Sequence, residues 1–282
     1  MSDIKIFVCC HKPECVPIHP LLYPIQVGAA LSDHRFEGFM HDDEGENISY
    51  LNRSYCELTA QYWAWKNVDA DYYGFFHYRR YLYPNIKTKK IYRINKRPTE
   101  KLLDKLGYND FERLIERYDV IVPKRENMYV PVREHYSNAP YHHIKDLNLI
   151  EEIIRENFPQ YSLAADEYLS GTNNYFGNIF IMKKQLFYDY CEWLFSILQE
   201  FDNRADTSDY GQQDKRVDGY LAERLLGIYF TFHKKTLNVF ELPRVHFVAN
   251  NQELKRKKII NSLIPPGSKR RAMIKGIVAN GR

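Results

Sequence analysis

The sequence predicts an α/β protein whose mostly parallel sheet is flanked by helices. Short apolar runs of strand length alternate with segments of helical periodicity along the chain, the arrangement that builds parallel sheets. The first run, Ile4–Cys10, is apolar apart from Lys5 and reads as a buried strand. A second, Tyr72–His77, is almost wholly aromatic, which suits a pleated, half-buried surface.

The first run ends in the turn His11-Lys12-Pro13. Open α/β sheets bind ligands at the carboxyl edge of their strands, so a nucleotide is expected beside His11 and Lys12. The segment through Pro17, Pro20 and Pro24 to Gly28 reads as loop. Residues 42–47 form an acidic turn without the roughly twelve-residue ligand pattern of a calcium loop. Residues 52–67 predict one helix, because Leu51, Tyr55, Leu58, Tyr62 and Trp65 recur at three- and four-residue spacing. Asn52 would cap it and Asn67 would close it.

The aromatic run carries the most distinctive chemistry. Gly74 would admit another backbone or a ligand. Successive strand side chains point to opposite faces, so Arg79 and Arg80 cannot both face outward in a continuing strand. The strand is therefore expected to end near His77, with both arginines on the following turn. Two planar forks of donors beside a titratable histidine suit a diphosphate or a carboxylate. The plainer alternative is a basic strand end held by acidic neighbours.

Beyond it, residues 85–98 read as a basic, irregular loop. Helices are expected over 99–106 and 110–118, and a strand over 119–123. Residues 124–142 are loop-rich and carry Tyr129, Tyr136, Tyr141 and His142. An amphipathic helix, Ile144–Asn157, presents Leu147, Ile150, Ile153 and Ile154 and is stopped by Pro159. Residues 173–178 enter a strand over 179–182. A long helix over 184–201 buries Phe187, Tyr190, Cys191, Leu194 and Leu198. After a polar loop over 202–214 come a helix over 216–232 and a last strand over 237–242. There is no internal repeat.

A chain of 282 residues can bury a substantial core as one domain or two small ones. The division expected is 1–250 as the folded domain and 251–282 as a basic tail. Nine of the 40 Lys and Arg, and none of the 36 Asp and Glu, fall in the last 28 residues. The first 254 residues thus hold 31 basic against 36 acidic side chains, a net of −5. That argues against a nucleic-acid-binding body; the tail either meets an anionic surface, where each cation would contribute about 1 kcal/mol, or is simply a solvated basic end. Aromatic residues make up 15%, enough for stacking on sugars or bases, although Tyr55, Tyr62 and Trp63 are expected to pack in the core. Five scattered cysteines give no disulfide framework, and Cys9, Cys10 and Cys15 have no second ligand pair at zinc spacing. No apolar run reaches the roughly 18 residues of a spanning helix, and residues 1–5 open a strand rather than a leader. A cytoplasmic protein, peripheral to the inner face of the membrane, is the expectation.

Several segments resemble a known family. They are His11-Lys12-Pro13, Pro24-Ile25-Gln26-Val27-Gly28-Ala29, Asn47-Ile48-Ser49 with Asn52, residues 55–67, and His77-Tyr78-Arg79-Arg80-Tyr81. Later matches are Asp146-Leu147, residues 178–182 and residues 219–225. The chain resembles the bacterial glycosyltransferases of capsular and exopolysaccharide synthesis, long catalogued as a domain of unknown function, some of which transfer galactofuranose or galactose. The resemblance covers about residues 4–245. It implies a GT-A-like fold, a UDP-sugar donor, and a lipid-linked or growing glycan acceptor. It also implies a donor site containing His11, Lys12, Asn52, Glu57, His77, Tyr78, Arg79 and Arg80. Glu57 would bind a donor hydroxyl or pair with one of those arginines.

GT-A enzymes usually hold Mn²⁺ or Mg²⁺ with an Asp-x-Asp just after a central strand. Asp69-Ala70-Asp71 has that spelling but precedes the aromatic strand. No metal is therefore expected, with Asp69 and Asp71 as the alternative site. Arg79 and Arg80 would supply the positive charge to the leaving diphosphate. Inverting transfer needs a general base, and the resemblance places it near Asp214, Asp218 and Glu223. Glu223 is the first candidate and Asp218 the second; the alternative is a purely structural glutamate beside Arg224 or reaching Arg79 or Arg80. A different nucleotide sugar on the same fold, or a non-catalytic glycan- or nucleotide-binding module, is the alternative function.

Overall fold

The computed structural model describes residues 2–84 and 91–280. The first six residues of the expected basic loop lie outside the described residues. The chain begins with β1 (Ile4–Cys10), β2 (Leu22–Gln26), β3 (Met40–His41), α1 (Asn52–Tyr55) and α2 (Leu58–Asn67). Next come β4 (Tyr72–His77), β5 (Arg80–Leu82) and β6 (Tyr92–Asn95). They are followed by α3 (Glu100–Leu106), α4 (Phe111–Ile115), β7 (Val120–Pro123) and β8 (Glu126–Asn127). Helices α5 (Val132–Ser137), α6 (Ile144–Asn157) and α7 (Ser162–Ser170) lead to β9 (Asn173–Asn174) and β10 (Phe180–Lys183). The last stretch holds α8 (Lys184–Arg204), α9 (Val217–Phe232), β11 (Val239–Leu242), β12 (Arg244–Phe247), α10 (Asn251–Leu263) and α11 (Lys269–Asn280).

The main sheet runs in the order β11-β7-β10-β4-β1-β2-β3. Neighbours are parallel except around β10, which is antiparallel to both β4 and β7. The expected α/β class with a mostly parallel sheet is the one found. Strand parity divides the core in two. Phe7, Cys9, Tyr73 and Phe75 join the cluster beneath α2, α6, α8 and α9, while Ile4, Ile6, Val8, Tyr72 and Phe76 face α3 and α4. His77 has the parity of Tyr73 and Phe75 and pairs with Cys9, so it emerges on the α9 side. The aromatic content is spent on this core: Phe75 stacks between Phe7 and Phe187 at centroid distances of 5.5 and 5.4 Å. Each such fully buried ring contributes about 1.5–3 kcal/mol.

Several expectations need correction. The helix expected over 52–67 breaks at Cys56, whose φ of 52° turns the chain between α1 and α2. Asn52 is therefore no cap; its amide donates to the Cys56 carbonyl at 2.6 Å. Gly74 accommodates no ligand or backbone: a Cβ there would meet Ile6 and Ile181 side-chain carbons at 2.9 and 3.0 Å. Only Arg79 lies on the turn after β4, because Arg80 opens β5 and pairs with His77. The segments read as loop contain β2, α5 and the strand β6, and α7 follows Pro159 unannounced. Asp42, in the acidic turn, is a buried anchor that accepts the Gly28 and Ala29 N–H groups at 2.8 and 2.9 Å. Tyr55, Trp63 and the inward residues of α8 are buried as expected.

Two glycines of α9 permit close helix contacts. A Cβ on Gly219 would lie 3.2 Å from Cys56 Sγ, and one on Gly227 would lie 1.9 Å from the Tyr168 ring of α7. The basic tail is helical, with Asn250 capping α10 through the Glu253 N–H at 2.8 Å. Tyr129 donates its hydroxyl to the Gly267 carbonyl at 3.1 Å. Among the described residues no helix is long and apolar enough to cross a membrane.

Candidate functional site

A cavity of about 1090 Å³ opens where β1 and β4 end, between the α1–α2 break, the start of α9, and the turn before β10. The sheet's carboxyl edge is therefore the lined face, as expected from the strand pattern. Its wall carries Arg53, Arg79, Arg80, Lys215 and Arg216, none of which has a carboxylate partner among the described residues. Arg216 instead donates Nε to Cys56 Sγ at 3.3 Å. Four histidines, His11, His77, His135 and His142, line the same space, against only two carboxylates, Glu57 and Glu223.

The β4–β5 hairpin is built to hold its arginines still. Tyr78 and Arg79 form a two-residue connection, with His77 opposite Arg80. The Arg79 N–H donates to His77 Nδ1 at 3.1 Å, and the Arg79 carbonyl accepts the Phe247 N–H at 2.8 Å. Burial, then the charges of Arg80 and Arg79, push the His77 pKa down to about 2, so the ring is neutral and accepts at Nδ1. His77 is thus a fixed support for the turn. His11 is lowered too, by burial and then by Lys12 and Arg79. Tyr78 is buried beneath the hairpin, with the Arg79 guanidinium 4.9 Å from its ring centroid.

The two carboxylates meet a single turn from opposite sides. Gly177 and Asn178 have φ of 95° and 47°. Glu223 Oε1 accepts the Gly177 N–H at 2.7 Å, and Glu57 Oε1 accepts Asn178 Nδ2 at 3.1 Å. Asn178 Nδ2 also donates to the Gly219 carbonyl at 3.1 Å. The partner of Glu57 is therefore Asn178, not Arg79 or Arg80. Glu223 is ion-paired at 2.9 Å with Arg224, which is buried under Tyr136 and Phe176.

Of the sequence-predicted residues, the cavity gathers His11, Asn52, Glu57, His77, Arg79, Arg80 and Glu223. It does not gather Lys12, which is exposed and pairs with Glu14 at 3.1 Å, nor Tyr78, which lies behind the hairpin. Asp218 is fully buried behind α1, where Ser54 donates to its Oδ2. Its parity on α9 turns it away from the lumen that Gly219, Tyr220 and Glu223 face. Asp69 and Asp71 sit before β4, at the opposite edge of the sheet. Asp69 pairs with Lys184, and Asp71 accepts the Asp3 N–H at 2.8 Å. These two aspartates do not fit a metal at the cavity, and among the described residues no cluster of three metal-ligating side chains occurs.

Sequence reasoning missed Arg53, Lys215, Arg216 and Asn178. The first and third lie on α1 and at the start of α9, which pack closely at Gly219, a contact no local pattern announces. The aromatic wall was also missed: His142 stacks on Tyr220 with centroids 4.1 Å apart and planes 17° apart.

The family described as a domain of unknown function (DUF4422) matches residues 5–235 of the chain. Among curated proteins no relative matches. Among solved structures, the apo structure of the bifunctional glycosyltransferase WbbM is similar, with a TM-score of 0.84 and 35% identity. That similarity covers 87% of this chain and 45% of the other, so the chain spans about half the length of that protein.

Proposed function

The chain belongs to the family described as a domain of unknown function (DUF4422), and from that premise we propose that it is a glycosyltransferase using a nucleoside-diphosphate sugar. One observation carries the proposal: five cations without carboxylate partners among the described residues converge on one cavity at the sheet's carboxyl edge. An isolated cluster of like charges is unfavourable unless an anion completes it, and planar guanidinium forks suit a diphosphate. The likeness to WbbM, a bifunctional glycosyltransferase, supports the same reading. The donor we propose is UDP-galactose or UDP-galactofuranose. The acceptor is a lipid-linked or growing polysaccharide of the capsule, exopolysaccharide or O-antigen class.

In this scheme Arg79, Arg80 and Arg216 neutralise the charge that develops on the departing diphosphate, in place of a divalent metal. His77 and Phe247 hold the arginine turn so that little reorganisation is needed. His142 and Tyr220 offer a stacked face to a sugar or base. The tail helices expose Ile259, Leu263 and Met273 among Lys255, Arg256, Lys258, Lys269 and Arg270. That mixture fits an anionic leaflet at the inner face of the cell membrane, where a lipid-linked acceptor would lie.

The test is a donor screen with the purified protein, scored by UDP release with and without excess chelator. Transfer from one UDP-sugar, undiminished by chelator, is expected. Activity abolished by chelator and restored by Mn²⁺ or Mg²⁺ would overturn the metal-free scheme. Stabilisation by UDP without turnover of any donor would overturn the enzyme and leave a binding module.

A further inference from the structure

Two carboxylates line the cavity, and their surroundings assign them different work. Glu223 has both oxygens engaged, Oε1 by the Gly177 N–H and Oε2 by Arg224 Nη1. Arg224 is buried, and Glu223 is its only ion-pair partner among the described residues, so both oxygens are committed to structure. Glu57 is different. Its Oε1 accepts from Asn178 and its carboxylate also accepts its own backbone N–H. No cation lies within ion-pairing distance among the described residues, and Arg216 acts on it only through its charge at longer range. It sits on the cavity wall directly after Cys56, where the break between α1 and α2 turns the chain.

Resting on the glycosyltransferase reading above, we propose that Glu57 is the group that takes the proton from the acceptor hydroxyl. Glu223 is then a positioning residue that holds the turn at Gly177 and Asn178. As the acceptor oxygen attacks the anomeric carbon, its proton passes to the Glu57 carboxylate. The new carbon–oxygen bond forms on the face opposite the leaving group. The bond from the anomeric carbon to the diphosphate oxygen breaks, and its electron pair leaves with the nucleoside diphosphate toward Arg79, Arg80 and Arg216. The anomeric configuration inverts. Burial above all, and then the charge of Glu223 among the raising causes, pushes the pKa of Glu57 up, which suits a proton acceptor.

The experiment compares the full-length wild type with Glu57→Gln, Glu57→Asp and Glu223→Gln, measuring kcat against pH and, separately, UDP affinity. Glu57→Gln should lower kcat about 10²–10⁴-fold, keep UDP affinity, and lose the acid-side fall in kcat. Glu223→Gln should keep that fall. Glu57→Asp retains a carboxylate and should keep the fall at reduced kcat, which covers the case of a misfolded Gln variant. Wild-type kcat in Glu57→Gln, a flat acid side in Glu57→Asp, or loss of the acid-side fall in Glu223→Gln alone would overturn the assignment. A wild type that binds UDP and turns over no donor would instead overturn the glycosyltransferase reading, and this assignment with it.

Discussion

Glu57 and Glu223 grip adjacent residues of one turn, the first through Asn178 Nδ2 at 3.1 Å and the second through the Gly177 N–H at 2.7 Å. Asn178 holds a φ of 47°, a conformation that asparagine tolerates better than most residues. Its side chain ties α9 to the α1–α2 break through the Gly219 carbonyl. Replacing it with Gly keeps the backbone and removes the ties; replacing it with Ala removes both. Asn178→Ala should therefore melt lower than Asn178→Gly, and both should lose kcat. Equal melting temperatures for wild type and Asn178→Ala would show the turn needs no such ties.

Arg79 and Arg80 should govern affinity for the diphosphate. A charge-assisted hydrogen bond contributes about 1.5–3 kcal/mol, so each alanine variant should weaken UDP binding roughly 10- to 100-fold by calorimetry. Uridine, which lacks the phosphates, should bind all variants alike. An equal loss for uridine and UDP would mean that the hairpin collapsed.

Asp218 makes stability fall as pH rises. Burial, then the charge of Asp202, raises its pKa to about 8, against an ordinary carboxylate value of about 4. The folded protein therefore holds a proton that the unfolded chain has released. Its contribution is present below pH about 4 and is lost as pH climbs to about 8. Asp218→Asn should flatten the decline in melting temperature over that window and melt higher than wild type at pH 8.5. Parallel curves for the two proteins would refute the shift.

Gly227 and Gly219 should differ sharply when replaced by Ala. At Gly227 the new carbon would fall 1.9 Å from the Tyr168 ring, whose hydroxyl donates to Asn174 Oδ1 at 2.6 Å. At Gly219 the nearest atom is Cys56 Sγ at 3.2 Å. Overpacking costs about 1–3 kcal/mol or more, so Gly227→Ala should lower the melting temperature by about 5 °C or more and Gly219→Ala by less. The reverse order in thermal melts would contradict this packing.

The strands and long helices were legible because their periods are local: Ile144–Asn157 carries its boundaries and its buried face in its own spacing. The hairpin was partly legible, since an aromatic run ending in His77 and Arg79 announces an edge. Arg80 was misplaced because a two-residue turn leaves almost no sequence signal before the chain pairs back. The short β5, β6 and β12 are held by neighbours distant in sequence, and α7 has weak amphipathic patterning of its own. Arg53 and Arg216 were invisible for a similar reason: they meet through the long-range packing of α9 on α1, where Gly219 faces Cys56. Asp218 and Asp69 misled because their chemistry is right while their side chains are committed elsewhere.

The reversed direction of β10 decides how this edge is furnished. Its parallel neighbours β1 and β4 deliver His11 and the arginines where they leave the sheet, whereas β10 delivers Gly177 and Asn178 where it enters. Guanidiniums and the carboxylate-held turn thus reach one rim from strands separated by a hundred residues of chain. Neither half of the chain can furnish this rim alone, because it is complete only with the late strand seated between β4 and β7.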